Sequence, residues 1–354
     1  MSASFSDFPA LVEDIRAWAK ELGFDGVGIS DTRLDEYEVR FINWLNAGFH
    51  GEMHYMSRHG QTRSRPEELI PGTVRIISVR MNYQPPDARD EEEVLADRNL
   101  AYISRYALGR DYHRLIRKRL QKLAERITAT TGPFGYRAFT DSAPVLEKAL
   151  AEKAGLGWIG KHTNLISRTS GSWFFLGELY TDLPLPVDAS SEDHCGTCTT
   201  CMEVCPTQAI VGPYQLDARR CISYHTIELK GAIPVEFRKA MGNRIFGCDD
   251  CQLYCPWNRF GEKSTLADFA VRHHLDAPHL VELFAWSEAE FLDKTQGSAI
   301  RRIGYECWLR NIAVALGNAE SVPEVIKALQ ARLNHSSALV REHVTWALQQ
   351  HDAL

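Results

Sequence analysis

Eight of the nine cysteines in this 354-residue sequence fall between Cys195 and Cys255, and only Cys307 stands apart. Cys195, Cys198, Cys201 and Cys205, followed by Pro206, form a C-x2-C-x2-C-x3-C-P run. In such a run three thiolates hold three irons of one [4Fe-4S] cluster and the fourth ligates another, so one run implies two clusters. A second run, Cys248, Cys251 and Cys255 before Pro256, is one thiolate short, and Cys221 supplies it most simply. The crossed pattern predicts Cys195, Cys198, Cys201 and Cys255 around one cluster, and Cys205, Cys221, Cys248 and Cys251 around the other. Zinc also takes C-x2-C pairs, but it does not account for both C-P endings. Cys307, beside Trp308 on a helical segment, reads as a buried free thiol. Clusters side by side relay electrons, so something else must receive them.

Gly155, Gly157 and Gly160 match a G-x-G-x-x-G dinucleotide pattern. That fingerprint needs a strand before it and a helix after it, whereas here a helical segment precedes and an extended one follows. Helix termination and tight turns explain these glycines better.

The elements that must carry these groups alternate in the first half. Apolar spacing predicts helices over Leu11 to Leu22, Asp111 to Thr130 and Pro144 to Ala154. Extended runs are expected at Phe24 to Ile29, Arg75 to Tyr83, Leu100 to Tyr106, Tyr136 to Phe139, Thr163 to Ser167 and Ser172 to Thr181. The fold class is therefore α+β over residues 1–187, with a boundary at Pro184, Pro186 and the polar run Asp188 to His194. A two-cluster module follows over 188–260. A helical region fills 261–354, where Trp308 to Leu316 resembles Leu339 to Leu348, each with an arginine (Arg310, Arg341) ahead of an apolar face, suggesting a small HEAT-like unit.

The chain holds 40 Lys and Arg against 46 Asp and Glu, a net charge of −6, so it has no global attraction to nucleic acid. No apolar stretch approaches the roughly 20 residues that span a bilayer, so no membrane association is expected. Met1 to Ala10 shows no positive region ahead of an apolar run, which argues against an export signal and for the cytoplasm. Thiols in a reducing compartment are metal or redox groups more often than disulfides.

Several long motifs carry a resemblance. Phe139-Thr-Asp-Ser-Ala-Pro-Val-Leu-Glu147, Ala151-Glu-Lys-Ala-Gly-Leu-Gly-Trp158 and Gly171-Ser-Trp-Phe-Phe-Leu-Gly-Glu178 closely resemble the epoxyqueuosine reductase family. So do Ser104-Arg-Tyr-Ala-Leu-Gly-Arg-Asp-Tyr-His113, Arg220-Cys-Ile-Ser-Tyr224 and Gly242-Asn-Arg-Ile-Phe-Gly-Cys248, and the likeness runs over essentially the whole chain. It implies a cobalamin-dependent oxidoreductase that reduces an epoxide on the modified wobble base of tRNA to an alkene, the last step of queuosine synthesis. The implied architecture is a cobalamin-binding α+β domain related to the reductive dehalogenase core, a two-[4Fe-4S] ferredoxin-like module and a helical HEAT-like tail. It also implies cobalamin contacts at Arg63, Ser104, Asp141, Leu165, Leu176 and Ser223, with Asp141 as proton donor.

An Asp in a poorly solvated pocket would have its pKa raised and could serve as general acid. The competing reading is that Asp141 or Ser142 merely caps the helix entered through Pro144. Asp111-Tyr-His113 approaches the D-x-H-x-x-G cobalamin signature, but Ile116 occupies the glycine position, so no histidine is expected on cobalt and His113 reads as a surface or hydrogen-bonding residue. A tRNA substrate needs cationic surface. Arg114 to Lys122 reads as a solvated helix face, while Lys230 and Arg244 are favoured as RNA contacts. The expected partners are epoxyqueuosine-bearing tRNA and an external low-potential electron donor, with the protein a monomer. The alternatives are an electron carrier without an active site and a corrinoid dehalogenase.

Overall fold

The computed structural model describes residues 7–354. Met1 to Ser6, part of the stretch read for a targeting signal, lie outside the described residues. Among the described residues no helix is long and apolar enough to cross a membrane.

Four strands form the main sheet: β1 (Gly26–Ser30), β2 (Arg75–Asn82), β3 (Tyr136–Phe139) and β4 (Phe174–Thr181), in the order β1-β2-β4-β3 with every pairing antiparallel. β2 and β4 are central and almost wholly buried, because both of their faces are covered. On one side Ile77, Val79, Met81 and Leu179 pack against α1 (Phe8–Glu21) and α2 (Tyr112–Thr131), whose Leu11, Ile15, Ile116, Leu120 and Leu123 recur at helical spacing. On the other side Ile76 and Tyr180 meet Ala149 and Leu150 of α3 (Glu147–Lys153). Short apolar runs and period-3.6 patterning thus locate these elements to within a few residues.

Three expectations shift. The extended run at Leu100 to Tyr106 is a strand only at Tyr102–Ile103, because its one strand partner, Arg244–Phe246, is equally short. Likewise Thr163 to Ser167 is a strand only at Leu165–Ile166, paired with Trp158–Ile159. The helix expected from Pro144 begins at Glu147, with Leu146 at its N-cap and no side-chain cap. Asp141 and Ser142 therefore cap nothing, and residues 140–146 form a loop.

The glycine pattern is structural. Gly155 follows α3 with φ +75°, a left-handed helix stop, and a Cβ on Gly157 would sit 2.2 Å from the Ile166 carbonyl oxygen.

The last helices, α4 (Leu280–Ala285), α5 (Tyr305–Asn318), α6 (Pro323–Gln330) and α7 (Ala338–Gln350), do not form a core of their own. Leu283, Trp308, Ile312, Val340 and Val344 share one buried cluster with Ile222, Ile227, Ile233 and Phe246 of the cysteine-rich segment and with Ile103 and Leu108. α5 and α7 pack together, but their arginines differ: Arg310 is fully buried, whereas Arg341 is exposed. Arg310 donates to the carbonyls of His225, Leu229 and Gly231, each at 2.7 Å, and Asn311 beside it donates to those of Thr226 and Ile245 at 2.8 and 2.9 Å. A fixed cation aimed at backbone carbonyls clamps the helical region onto the segment that carries Cys221 and Cys248.

Candidate active site

Cys195, Cys198, Cys201 and Cys255 line one cavity, and Cys205, Cys221, Cys248 and Cys251 stand near one another. Burial, followed by the neighbouring thiols of Cys255, Cys195 and Cys198, pushes Cys201 up to about 11. Cys251 is raised well above its ordinary value by burial and then by Cys221 and Cys205, and Cys248 by burial, Asp250 and also Cys221. Four thiols brought together in this way repel as thiolates and are relieved by binding cationic iron. A cavity of about 210 Å³ is lined by all four thiols of the first quartet, with Lys161, His194 and Trp257 around them. Lys161 Nζ donates to the carbonyls of Gly196 and Cys198 at 2.6 and 2.8 Å, holding that loop closed. Cys198 is the exposed member of this quartet. Cys307 is buried, as expected.

A larger cavity, about 280 Å³, opens beside the second quartet. Its apolar wall is Leu165, Phe174 and Leu176; Tyr106, Tyr112 and Phe175 add aromatic surface, and Gln252, next to Cys251, reaches it from the cluster side. Asp141, Glu147 and Lys148 supply its charge. Flat apolar walls with a few convergent polar groups are what an organic cofactor needs.

Asp141 follows β3 with φ +48°, a left-handed conformation that Asp tolerates better than most residues. Its Oδ2 accepts from the Tyr112 hydroxyl at 2.6 Å and lies 3.0 Å from His113 Nε2. His113 Nδ1 is 2.6 Å from Asp111 Oδ1, which also accepts from the His113 backbone N–H as the N-cap of α2. The Tyr112 ring stacks on Phe175 at 3.8 Å. Burial works to lower the His113 pKa, but hydrogen bonds to Asp111 and Asp141 outweigh it and push it up to about 9. Burial works to raise Asp141, but hydrogen bonds from His113 and Tyr112 hold it below the ordinary carboxylate value. The raised pKa expected for Asp141 is therefore corrected: near neutral pH the proton of this pair rests on His113, because an imidazolium beside the carboxylate favours its charged form.

The other expected contacts divide. Leu165 and Leu176 line the cavity with Asp141. Arg63 is buried behind the Asp141 loop and donates to the carbonyls of Tyr55 and Ala143 at 2.9 and 3.3 Å. Ser104 and Ser223 lie at the second quartet: Ser104 Oγ donates to Asp249 at 2.6 Å, and Ser223 hydrogen-bonds the Cys221 thiol. Lys230 is exposed. Arg244 departs from the expectation of an RNA contact, since its guanidinium is mostly buried and grips both oxygens of Asp250 at 2.7 and 2.5 Å. Tyr112, Glu147 and Glu178 stand inside the family-like motifs with no role assigned by the sequence, and Lys148 and Gln252 lie outside those motifs; of these, only the single carboxylate inside the apolar strand Phe174-Phe-Leu-Gly-Glu-Leu-Tyr is a legible signal.

Two cysteine quartets beside a cavity with an apolar wall and a charged side define an iron-sulfur oxidoreductase. The model for the "4Fe-4S double cluster binding domain" matches residues 194–258, and the chain carries two [4Fe-4S] clusters. The model "Epoxyqueuosine reductase QueG, DUF1730" matches residues 63–142. A curated epoxyqueuosine reductase of Pseudomonas aeruginosa is 63% identical over 342 residues, covering 96% of this chain and 94% of the relative. The chain belongs to the epoxyqueuosine reductase family. A solved epoxyqueuosine reductase with an epoxyqueuosine-modified tRNA-Tyr stem loop superposes with a TM-score of 0.89 at 28% identity, over 98% of this chain and 91% of that one. A solved Bacillus subtilis epoxyqueuosine reductase whose aspartate-bearing catalytic loop is swung out of the active site superposes with a TM-score of 0.88 at 28% identity, over the same shares.

Proposed function

We propose that this chain reduces epoxyqueuosine to queuosine at the wobble position of tRNA, with Asp141 delivering a proton to the departing oxygen. The observation that carries this reading is the joining of His113 to Asp141 and Tyr112, which line a cavity that Gln252, next to Cys251, also lines. Leu165, Phe174 and Leu176 would hold a cobalamin, with Arg63, Ser104 and Ser223 supporting it from the loop and the second quartet. Cobalamin when bound supplies a strongly reducing cobalt that takes electrons singly from a low-potential cluster.

The protein's own part is electrostatic and protonic. Cys198 is exposed, so a cluster held by the first quartet would be the one open to an external low-potential donor, and a cluster held by the second would stand beside the cavity. Removing an epoxide oxygen as water takes two electrons and two protons. His113 holds a proton 3.0 Å from the Asp141 carboxylate, which relays it into the cavity, while Tyr112 fixes the carboxylate's orientation. The base must leave the anticodon stack to enter, as base-modifying enzymes require, and exposed Lys230 serves the RNA backbone. The reading includes a monomer acting in the cytoplasm, organised as 1–187, 188–260 and 261–354.

Nucleoside mass spectrometry of tRNA from cells lacking this protein tests it. Epoxyqueuosine should accumulate and disappear on complementation; unchanged queuosine overturns the reading.

A further inference from the structure

Glu178 lies at the middle of β4, fully buried, and among the described residues neither of its carboxyl oxygens accepts from any N–H or O–H. The side chain set against it is another carboxyl, that of Glu147 at the start of α3. Two carboxyl groups can share a hydrogen bond only when one of them carries a proton, since a carboxylate has acceptors and no donor. Two charges there would incur a desolvation cost and a repulsion that outweigh the attraction of His113, Arg63 and Lys148 for Glu147. Glu147 in turn lines the cavity, and one of its oxygens accepts the backbone N–H of Asp141. The order from the sheet interior outward is therefore Glu178, Glu147, Asp141, with the last two facing the same cavity.

We propose that Glu147 and Glu178 form a proton store that recharges Asp141, supplying the second of the two protons that epoxide reduction consumes. This rests on the reaction proposed above. In that reaction both C–O bonds of the epoxide break, an alkene forms, and the oxygen leaves as water. Two electrons arrive from the external low-potential one-electron reductant through the clusters. The first proton passes from His113 through Asp141 to the oxygen; the second leaves Glu147 for the vacated Asp141 carboxylate and completes the water. Glu178 then shares its proton with Glu147 until solvent refills the pair.

Burial, and after it the charge of Asp141, lifts Glu147 to about 7, and burial, followed by Glu147, lifts Glu178 well above its ordinary value. The groups that face the pair are Asp141, His113 and Tyr112 from the loop and α2, Arg63 from the segment before β2, Lys148 on α3 and Tyr180 on β4. Glu147 and Glu178 act through Asp141 and are positioning residues for the proton.

Infrared titration of the cluster-loaded full chain through neutrality reads the store directly. The wild-type protein should show a protonated-carboxyl C=O band with a component fading near pH 7; Glu147→Gln should lose the fading component, and Glu178→Gln the whole band at neutral pH. In turnover on an epoxyqueuosine-modified stem loop, both variants should keep their clusters and KM while kcat falls about tenfold, at the low end of acid–base effects, and lose the limb near pH 7. A wild-type enzyme that is active but shows no such band, or variants whose kcat–pH profiles superimpose on the wild type, overturns the proposal. Should the variants fail to fold, the wild-type band alone decides it. A wild-type protein with no activity on the stem loop but with the band intact overturns the assigned reaction, a result separable from the loss of the band.

Discussion

The two cysteine quartets are chemically the same and are placed differently. The first reaches the surface at Cys198 and is held by Lys161 on two carbonyls of its own loop. The second is framed by buried groups: Asp249 takes Ser104, Tyr102 and the Arg105 N–H, Arg244 grips Asp250, and Arg310 clamps the segment that carries Cys221. An electron path needs one end open to a partner and one end fixed beside the acceptor, and the chain frames the inner end with more buried polar bonds than the outer one.

That contrast can be broken most severely at the inner end. Cys251→Ala should abolish reduction of a modified stem loop even with a small low-potential reductant, while Cys198→Ala should keep residual turnover under the same reductant; electron paramagnetic resonance shows which cluster survives. Equal loss in both variants would remove the distinction between the quartets. Next, Asp141→Asn with both clusters intact should lower kcat about 10²–10⁴-fold, the range for a lost general acid; a fully active variant ends the role given to that carboxylate.

The clamps differ in the same direction. Arg310→Ala leaves several buried carbonyls unpaired and should lower stability by about 3–5 kcal/mol, seen as a fall in Tm together with faster loss of the second cluster to chelator. The pH dependence of the cavity wall follows from His113. Its pKa is raised from 6.5 to about 9, so the stability it contributes is complete below about 6.5 and is lost as pH rises through about 9. His113→Gln should flatten that decline, with a difference of about 2–3 kcal/mol between the two pH limits in thermal denaturation. Smallest is Lys161→Met, which frees two carbonyls at a partly accessible site; it should lower stability by about 1–2 kcal/mol and make the first cluster, not the second, labile to chelator.

The grouping of the cysteines was legible because ligand spacing is a local covalent property, the central strands because both of their faces are buried and they read as short apolar runs, and the helices because burial repeats with period 3.6. The motif around Asp141 could be read as a resemblance, but its electrostatics could not. Asp111-Tyr112-His113 reads locally as a helix start, and only the approach of the β3–α3 loop to that start sets His113 against Asp141 and reverses the expected pKa. Arg244 looked like free charge until Asp250, six residues on, enclosed it. Arg310 and Arg341 matched in pattern and differ in burial, because the repeat concerns helices while burial is set by what the cysteine segment lays over one of them.

The sequence by itself determined which atoms are available: eight thiolates in two sets, an apolar sheet, an aspartate between a strand and a helix. Tertiary structure alone decided which charges meet. Coulomb interactions and desolvation depend on distances between segments remote along the chain, such as Glu147 and Glu178 or His113 and Asp141, and those distances exist only after the sheet has closed over α2 and α3.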